Sequence, residues 1–131
     1  MKHTCSMRLS VVTLAAFFVF TGFTGCSGGG GGGASAQIPS IMSTGSDEAS
    51  KMNNEGVDHL VQGHYAVAKD FFDKAIAANP NLAEAHFNLG VSLDGDGKHP
   101  EATESFKKAA QLGSSNSKIT GSDLLKKHTG M

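Results

Sequence analysis

One pattern is written twice in this chain, 34 residues apart. A shift by that period superimposes Ala49 on Ala83, Asn54 on Asn88, Gly56 on Gly90 and Val57 on Val91. It also superimposes Gly63 on Gly97, Ala68 on Ala102, Phe72 on Phe106, Lys74 on Lys108 and Ala75 on Ala109. Nine of the 31 aligned positions are identical, and most are small residues with one large aromatic. A repeated helical hairpin needs that mixture: small side chains where backbones approach, a large one where a gap is filled. A fixed period of this length points first to a solenoid of stacked units.

Helical spacing within each unit agrees. In the first, a helix is expected over 47–62, with Ser46 as N-cap and Asp47 and Glu48 in its first turn. Gly63-His64 makes the turn. A second helix follows over 65–78, where Ala68, Phe71, Phe72, Ala75 and Ile76 carry i, i+3, i+4, i+7 spacing. Asn79-Pro80 ends it, because proline biases the residue before it away from the helical region. In the second unit, a helix over 82–94 packs through Ala83, His86, Leu89, Gly90 and Leu93. Asp94-Gly95-Asp96-Gly97 turns the chain. Pro100 then suits a first helical turn, Ala102, Phe106 and Ala109 line the inner stripe, and Gly113 stops the helix. A loop over 114–121 leads to a short helix over 123–127, whose Leu124 and Leu125 are placed to cover the open end of the stack.

These residues resemble the tetratricopeptide repeat family. The second unit supplies His86, Leu89-Gly90, Leu93, Ala102, Phe106 and Ala109 at the family's marked places; the first supplies Met52, Gly56, His59, Ala68, Phe72, Ala75 and Pro80. His86 and Met52 stand where the family has Trp, Glu55 replaces a Leu, and Ser114 replaces the second Pro. The resemblance implies an all-α fold: antiparallel helical hairpins stacked as a short solenoid, here two repeats plus a C-terminal capping helix. It also implies a concave groove, lined by the first helix of each pair, that holds a peptide or protein. Carried over by position, the groove residues are Asn53, Val57 and Val61 from the first unit and Glu84, Phe87, Asn88 and Val91 from the second. Of the places at which some family members clamp a terminal carboxylate, only Asn88 matches, so an apolar peptide contact is expected instead. Phe87 has a second reading, as packing for the capping segment.

The N-terminal quarter follows different rules. Lys2, His3 and Arg8 precede an apolar run from Val11 to Phe23, too short to span a bilayer and suited to a signal peptide. Phe23-Thr24-Gly25-Cys26 resembles the lipobox of bacterial lipoproteins, with Phe23 in place of the usual Leu. The resemblance implies cleavage before Cys26, lipid on its thiol, and, with Ser27 rather than Asp next, sorting to the outer membrane facing the periplasm. Several acyl chains anchor stably where one is marginal. Gly28 to Gly33 are consecutive glycines, and Ser- and Gly-rich sequence with Pro39 continues to Ser46. Such composition reads as a flexible tether. The expected organisation is therefore a signal over 1–25, lipidated Cys26 and tether over 26–46, two repeats over 47–113, and loop with capping helix over 114–131.

Composition removes other classes of function. The formal charge is −1, and losing Lys2 and Arg8 with the signal makes it more negative. The longest basic runs are pairs, Lys107-Lys108 and Lys126-Lys127, so nucleic acid is not an expected partner. No nucleophile elbow, phosphate loop or haem attachment pattern is present; an enzyme is not expected, nor any cofactor. Carboxylates such as Asp70, Asp73, Glu101 and Glu104 fall on outward helix positions. Cys5 and Cys26 both lie outside the repeats, leaving no thiol for a zinc set. His59 and His64 do not share a helical face, His86 sits at a packing place, and His99 and His128 read as solitary; no metal site is expected. From Asp94, the fifth, sixth and twelfth places of an EF-hand loop hold Lys98, His99 and Ser105, which do not fit calcium.

The expected function is a lipid-anchored adaptor or scaffold for a protein partner. Two other readings stand beside it: a structural lipoprotein that pairs with copies of itself, and a carrier of a small ligand or metal through its histidines.

Overall fold

Gly63 and Gly97, one period apart, both adopt left-handed backbone, with φ of 77° and 79°. That conformation suits glycine, and in each case it closes the first helix of a pair. Gly63 N–H donates to Leu60 O and His64 N–H to His59 O; Gly97 N–H donates to Asp94 O and Lys98 N–H to Leu93 O. The chain then reverses into the second helix. The computed structural model describes residues 38–131, so the expected signal segment, Cys26 and the glycine tract lie outside the described residues.

The hairpins are α1 (Glu48–Val61) with α2 (Tyr65–Ala78), and α3 (Ala83–Gly95) with α4 (His99–Leu112). A single turn, α5 (Ser117–Thr120), and a short helix, α6 (Asp123–Thr129), complete the fold. Among the described residues there are six helices and no strand, arranged as a short helical solenoid. None of these helices is long and apolar enough to cross a membrane.

The helix boundaries follow the sequence signals with small shifts. Asp47, not Ser46, is the N-cap of α1: its carboxylate accepts from Ser50 N–H and Ser50 Oγ, both at 3.0 Å. Pro100 stands in the first turn of α4 and Gly113 is its C-cap. The expected loop over 114–121 contains α5, capped by Asn116, whose side chain accepts from Lys118 N–H.

The repeat identities meet in pairs. A Cβ on Gly56 would lie 2.5 Å from Phe72, and one on Gly90 would lie 2.8 Å from Phe106. Both rings are fully buried. Within each hairpin, the first helix therefore omits a side chain where the ring of the second presses against its backbone. Ala68, Ala75, Ala102 and Ala109, all fully buried, let the helices approach on either side of that contact.

α3 is the central helix. Ala83, Ala85, Phe87, Asn88, Val91, Ser92 and Leu93 are all buried, so it has no single inward stripe. Phe87 meets Phe106 edge-on at 5.5 Å between centroids, a favourable aromatic geometry. Ser92 Oγ donates to Tyr65 O at 2.7 Å and ties α3 to the start of α2. His86 is half-buried and within 3.0 Å of Pro80 O, so it fastens the loop between the pairs. At the far end, Ile119 and Leu125 are buried and Leu124 packs against the same core. The C-terminal segment thus covers the last hairpin.

Candidate functional site

Two asparagines one period apart hold the chain that precedes α1. Asn88 on α3 accepts from Ile41 N–H at 2.8 Å and donates to Ile41 O at 2.8 Å. Asn54 on α1 accepts from Ser43 N–H at 2.8 Å and donates to Ser43 O at 3.0 Å. Each carboxamide thus matches both backbone groups of one residue, and the residues gripped are two apart. In extended chain such residues face the same way, so one face of the segment meets the helices and the other does not. Ile41 is buried at 6% exposure and Ser43 at 8%, while Met42 between them is 51% exposed.

Asn53 completes the network. Asn88 Nδ2 also donates to Asn53 Oδ1 at 2.8 Å, and Asn53 Nδ2 donates to Ile41 O and to Asn54 Oδ1, both at 3.1 Å. Ile41 O therefore accepts from two amides. Asn53 and Asn88 are fully buried, and burial of an amide is tolerated because its donors and acceptors are paired. The Ile41 side chain joins the core cluster with Val57, Phe87 and Val91, and Ile38 packs against it.

By composition the segment from Ile38 to Ser43 belongs to the tether expected over 26–46. The structure lays it on the helices instead, with Ile41 in the core. Composition misses this because one buried side chain and a set of main-chain hydrogen bonds leave no periodicity.

The seven residues assigned to the groove are distributed as follows. Asn53, Val57, Phe87, Asn88 and Val91 are buried and form its floor beneath Ile41. Glu84 is half-buried and accepts from Asn116 Nδ2 at 3.0 Å, which links α3 to the cap of α5. Val61, in the last turn of α1, is 54% exposed and is not part of that floor. Ile38, Ile41 and Met42 are the apolar residues of the tether that the sequence offers as contacts with the domain, without periodicity to support them; Ser43 carries no such signal, and Asn54 enters the sequence reading only as a repeat identity with Asn88. Beyond Ile41, an open cleft of about 510 Å³ lies between Pro39, Ser40 and the α5–α6 turn, with Phe87 in its wall.

The histidines also differ from expectation. His99 and His128 are not solitary: both approach Asp94 Oδ1, at 2.7 and 2.9 Å. His59 and His64 are near each other, at 5.9 Å between centroids, and His59 stacks on Phe71 at 5.3 Å.

A family model described as Tetratricopeptide repeat matches residues 71–104. The matched stretch covers the end of α2, all of α3 and the start of α4, one period cut at a different phase from the hairpins. No curated protein and no solved structure matches the chain.

Proposed function

We propose that this chain is a protein-interaction module of the bacterial envelope, anchored by lipid on Cys26, whose groove reads the main chain of an extended peptide. The repeat match supports an interaction module in general. The observation that carries the finer reading is the pair of grips by Asn54 and Asn88 on Ser43 and Ile41. A carboxamide that satisfies a residue's N–H and C=O together recognises backbone, which every extended peptide carries. Sequence preference then comes from the apolar floor under Ile41. The chain's own segment is the resident occupant, and a client takes its place. The apolar run before Cys26 and the lipobox residues support lipid anchoring, and Ser27, in place of Asp after the cysteine, supports sorting to the outer membrane, facing the periplasm.

The test is a pull-down from detergent-solubilised envelope with the full chain as bait, beside Ile41→Ser and Asn88→Ala variants shown to be folded by circular dichroism. A synthetic peptide spanning Ile38 to Gly45 serves as competitor. The proposal predicts a partner held more strongly by Ile41→Ser, lost by Asn88→Ala and displaced by the peptide. A partner indifferent to all three contradicts groove binding. Recovery of bait copies alone favours the second reading, in which one copy's segment fills the groove of another.

A further inference from the structure

Asp94, His99 and His128 come from three separate elements: the last turn of α3, the first residue of α4 and the end of α6. One ligating atom from each lies within 4.8 Å of the other two. The histidine from α6 is the informative one. Its side chain is 8% exposed, and its ring packs on Phe106 at 5.1 Å between centroids.

The protons on His128 can be assigned. Its Nδ1 lies 3.1 Å from Thr103 Oγ1. Thr103 donates its own hydroxyl proton to His99 O at 2.9 Å, so toward His128 the hydroxyl oxygen accepts, and Nδ1 carries the hydrogen. In the neutral ring Nε2 then presents a lone pair. It is buried, has no partner in hydrogen-bonding geometry, and yet lies 2.9 Å from Asp94 Oδ1. The contact is short but off the ring nitrogen's bonding direction. Two ligands of one ion stand in that relationship: with bonds of roughly 2.0–2.1 Å and angles near 90–109°, ligand atoms sit roughly 2.9–3.3 Å apart, and neither lies on the other's axis. The bond from His128 Nδ1 to Thr103 is the outer contact that ligating histidines usually make to fix their tautomer.

We propose that Asp94, His99 and His128 bind a divalent transition-metal ion of the zinc class, through Asp94 Oδ1, His99 Nδ1 and His128 Nε2. Two imidazoles and one carboxylate suit zinc and its first-row neighbours; calcium and magnesium prefer oxygen ligands throughout. Three protein ligands leave a position for water. Binding displaces the proton that His99 Nδ1 shares with Asp94 Oδ1, the two atoms spreading from their 2.7 Å contact to the spacing of ligands, and it supplies the cation that His128 Nε2 faces. Its structural effect is to clip α6 to the α3–α4 turn, which closes the end of the solenoid with a bond instead of packing alone.

The experiment uses the full chain without a histidine tag, stripped with chelator and titrated with Zn²⁺ by calorimetry and with Co²⁺ by visible absorption. The proposal predicts one equivalent bound, cobalt d–d bands, and a melting temperature that rises with zinc. His99→Gln changes an exposed side chain and leaves the fold intact; it weakens binding at least tenfold, as do His128→Gln and Asp94→Asn. Thr103→Val weakens it roughly tenfold through the orientation of His128. His86→Gln, away from the cluster, leaves binding unchanged. Absence of saturable binding overturns the proposal, as does binding that His99→Gln and His128→Gln leave intact. So does metal-independent melting whose pH dependence disappears in His128→Gln, since a proton then does the ion's work.

Discussion

Asn54 and Asn88 occupy equivalent places in the two repeats, and each grips both backbone groups of one residue in the segment before α1. Repetition of a helical hairpin thereby becomes repetition of a grip on the chain's own backbone. The spacing of the gripped residues, Ile41 and Ser43, is that of one face of an extended strand.

The two grips differ in burial, and their removal differs in cost. Asn88 is fully buried and also supports Asn53; Asn54 is half-buried at the edge of the network. Asn88→Ala strands Ile41 N–H and Asn53 Oδ1, and an unpaired buried polar group costs about 1–3 kcal/mol. Asn54→Ala frees Ser43 N–H and C=O, but it truncates a half-buried side chain, so water enters the space it vacates and the cost is about 1 kcal/mol or less. Urea unfolding of the two variants measures the difference. Equal losses would show that the Asn53–Asn88 pair adds nothing.

The glycine–phenylalanine contacts give a second pair of expectations. Alanine gains about 1 kcal/mol of helix propensity over glycine, so an open helical glycine tolerates the change. At Gly56 the new carbon would meet the Phe72 ring at 2.5 Å, and at Gly90 the Phe106 ring at 2.8 Å. Overpacking of this kind costs about 1–3 kcal/mol. Both substitutions are expected to destabilise, Gly56→Ala more than Gly90→Ala, with Phe72→Leu partly relieving the former in a double variant. A stabilised Gly56→Ala protein would refute the close approach.

Asp47 carries a pH dependence. Its pKa lies below the ordinary value of 3.8, chiefly because the carboxylate accepts the Ser50 backbone N–H and then the Ser50 hydroxyl. A depressed folded-state pKa means the contribution is complete above the unfolded value and is lost as pH falls through the folded one. Thermal melts should therefore show a small acid-side loss below about pH 4 that Asp47→Asn, which keeps a capping oxygen, lacks. An unchanged acid limb in that variant would assign the loss to other carboxylates.

Much of the fold was legible because it rests on side-chain pattern. The 34-residue period located both hairpins, and Gly56, Phe72, Gly90 and Phe106 were visible as its small and large members. α2 is bounded as its spacing implied. Two features were hidden for different reasons. Ile38–Ser43 is held mainly by backbone hydrogen bonds, which composition does not encode, and its Ser, Pro and Gly neighbours read as linker. Asp94 and His99, five residues apart, meet across the α3–α4 turn, but His128 joins them only because α6 folds back along α4, and no sequence spacing announces that contact. Asn88 was noticed as a possible clamp for a terminal carboxylate; its partner is an internal peptide group.

The most direct measurement is amide hydrogen exchange at Ile41 and Ser43 in the intact chain, resolved by NMR. Ile41 N–H donates to Asn88 and Ser43 N–H to Asn54, whereas Met42 between them is exposed. The account predicts that Ile41 and Ser43 exchange roughly a hundredfold or more slower than free peptide, the factor that about 2.7 kcal/mol of local opening gives. Met42 should exchange faster than both, and Asn88→Ala should release Ile41. Exchange of all three at the free-peptide rate would contradict a groove filled by the chain's own segment.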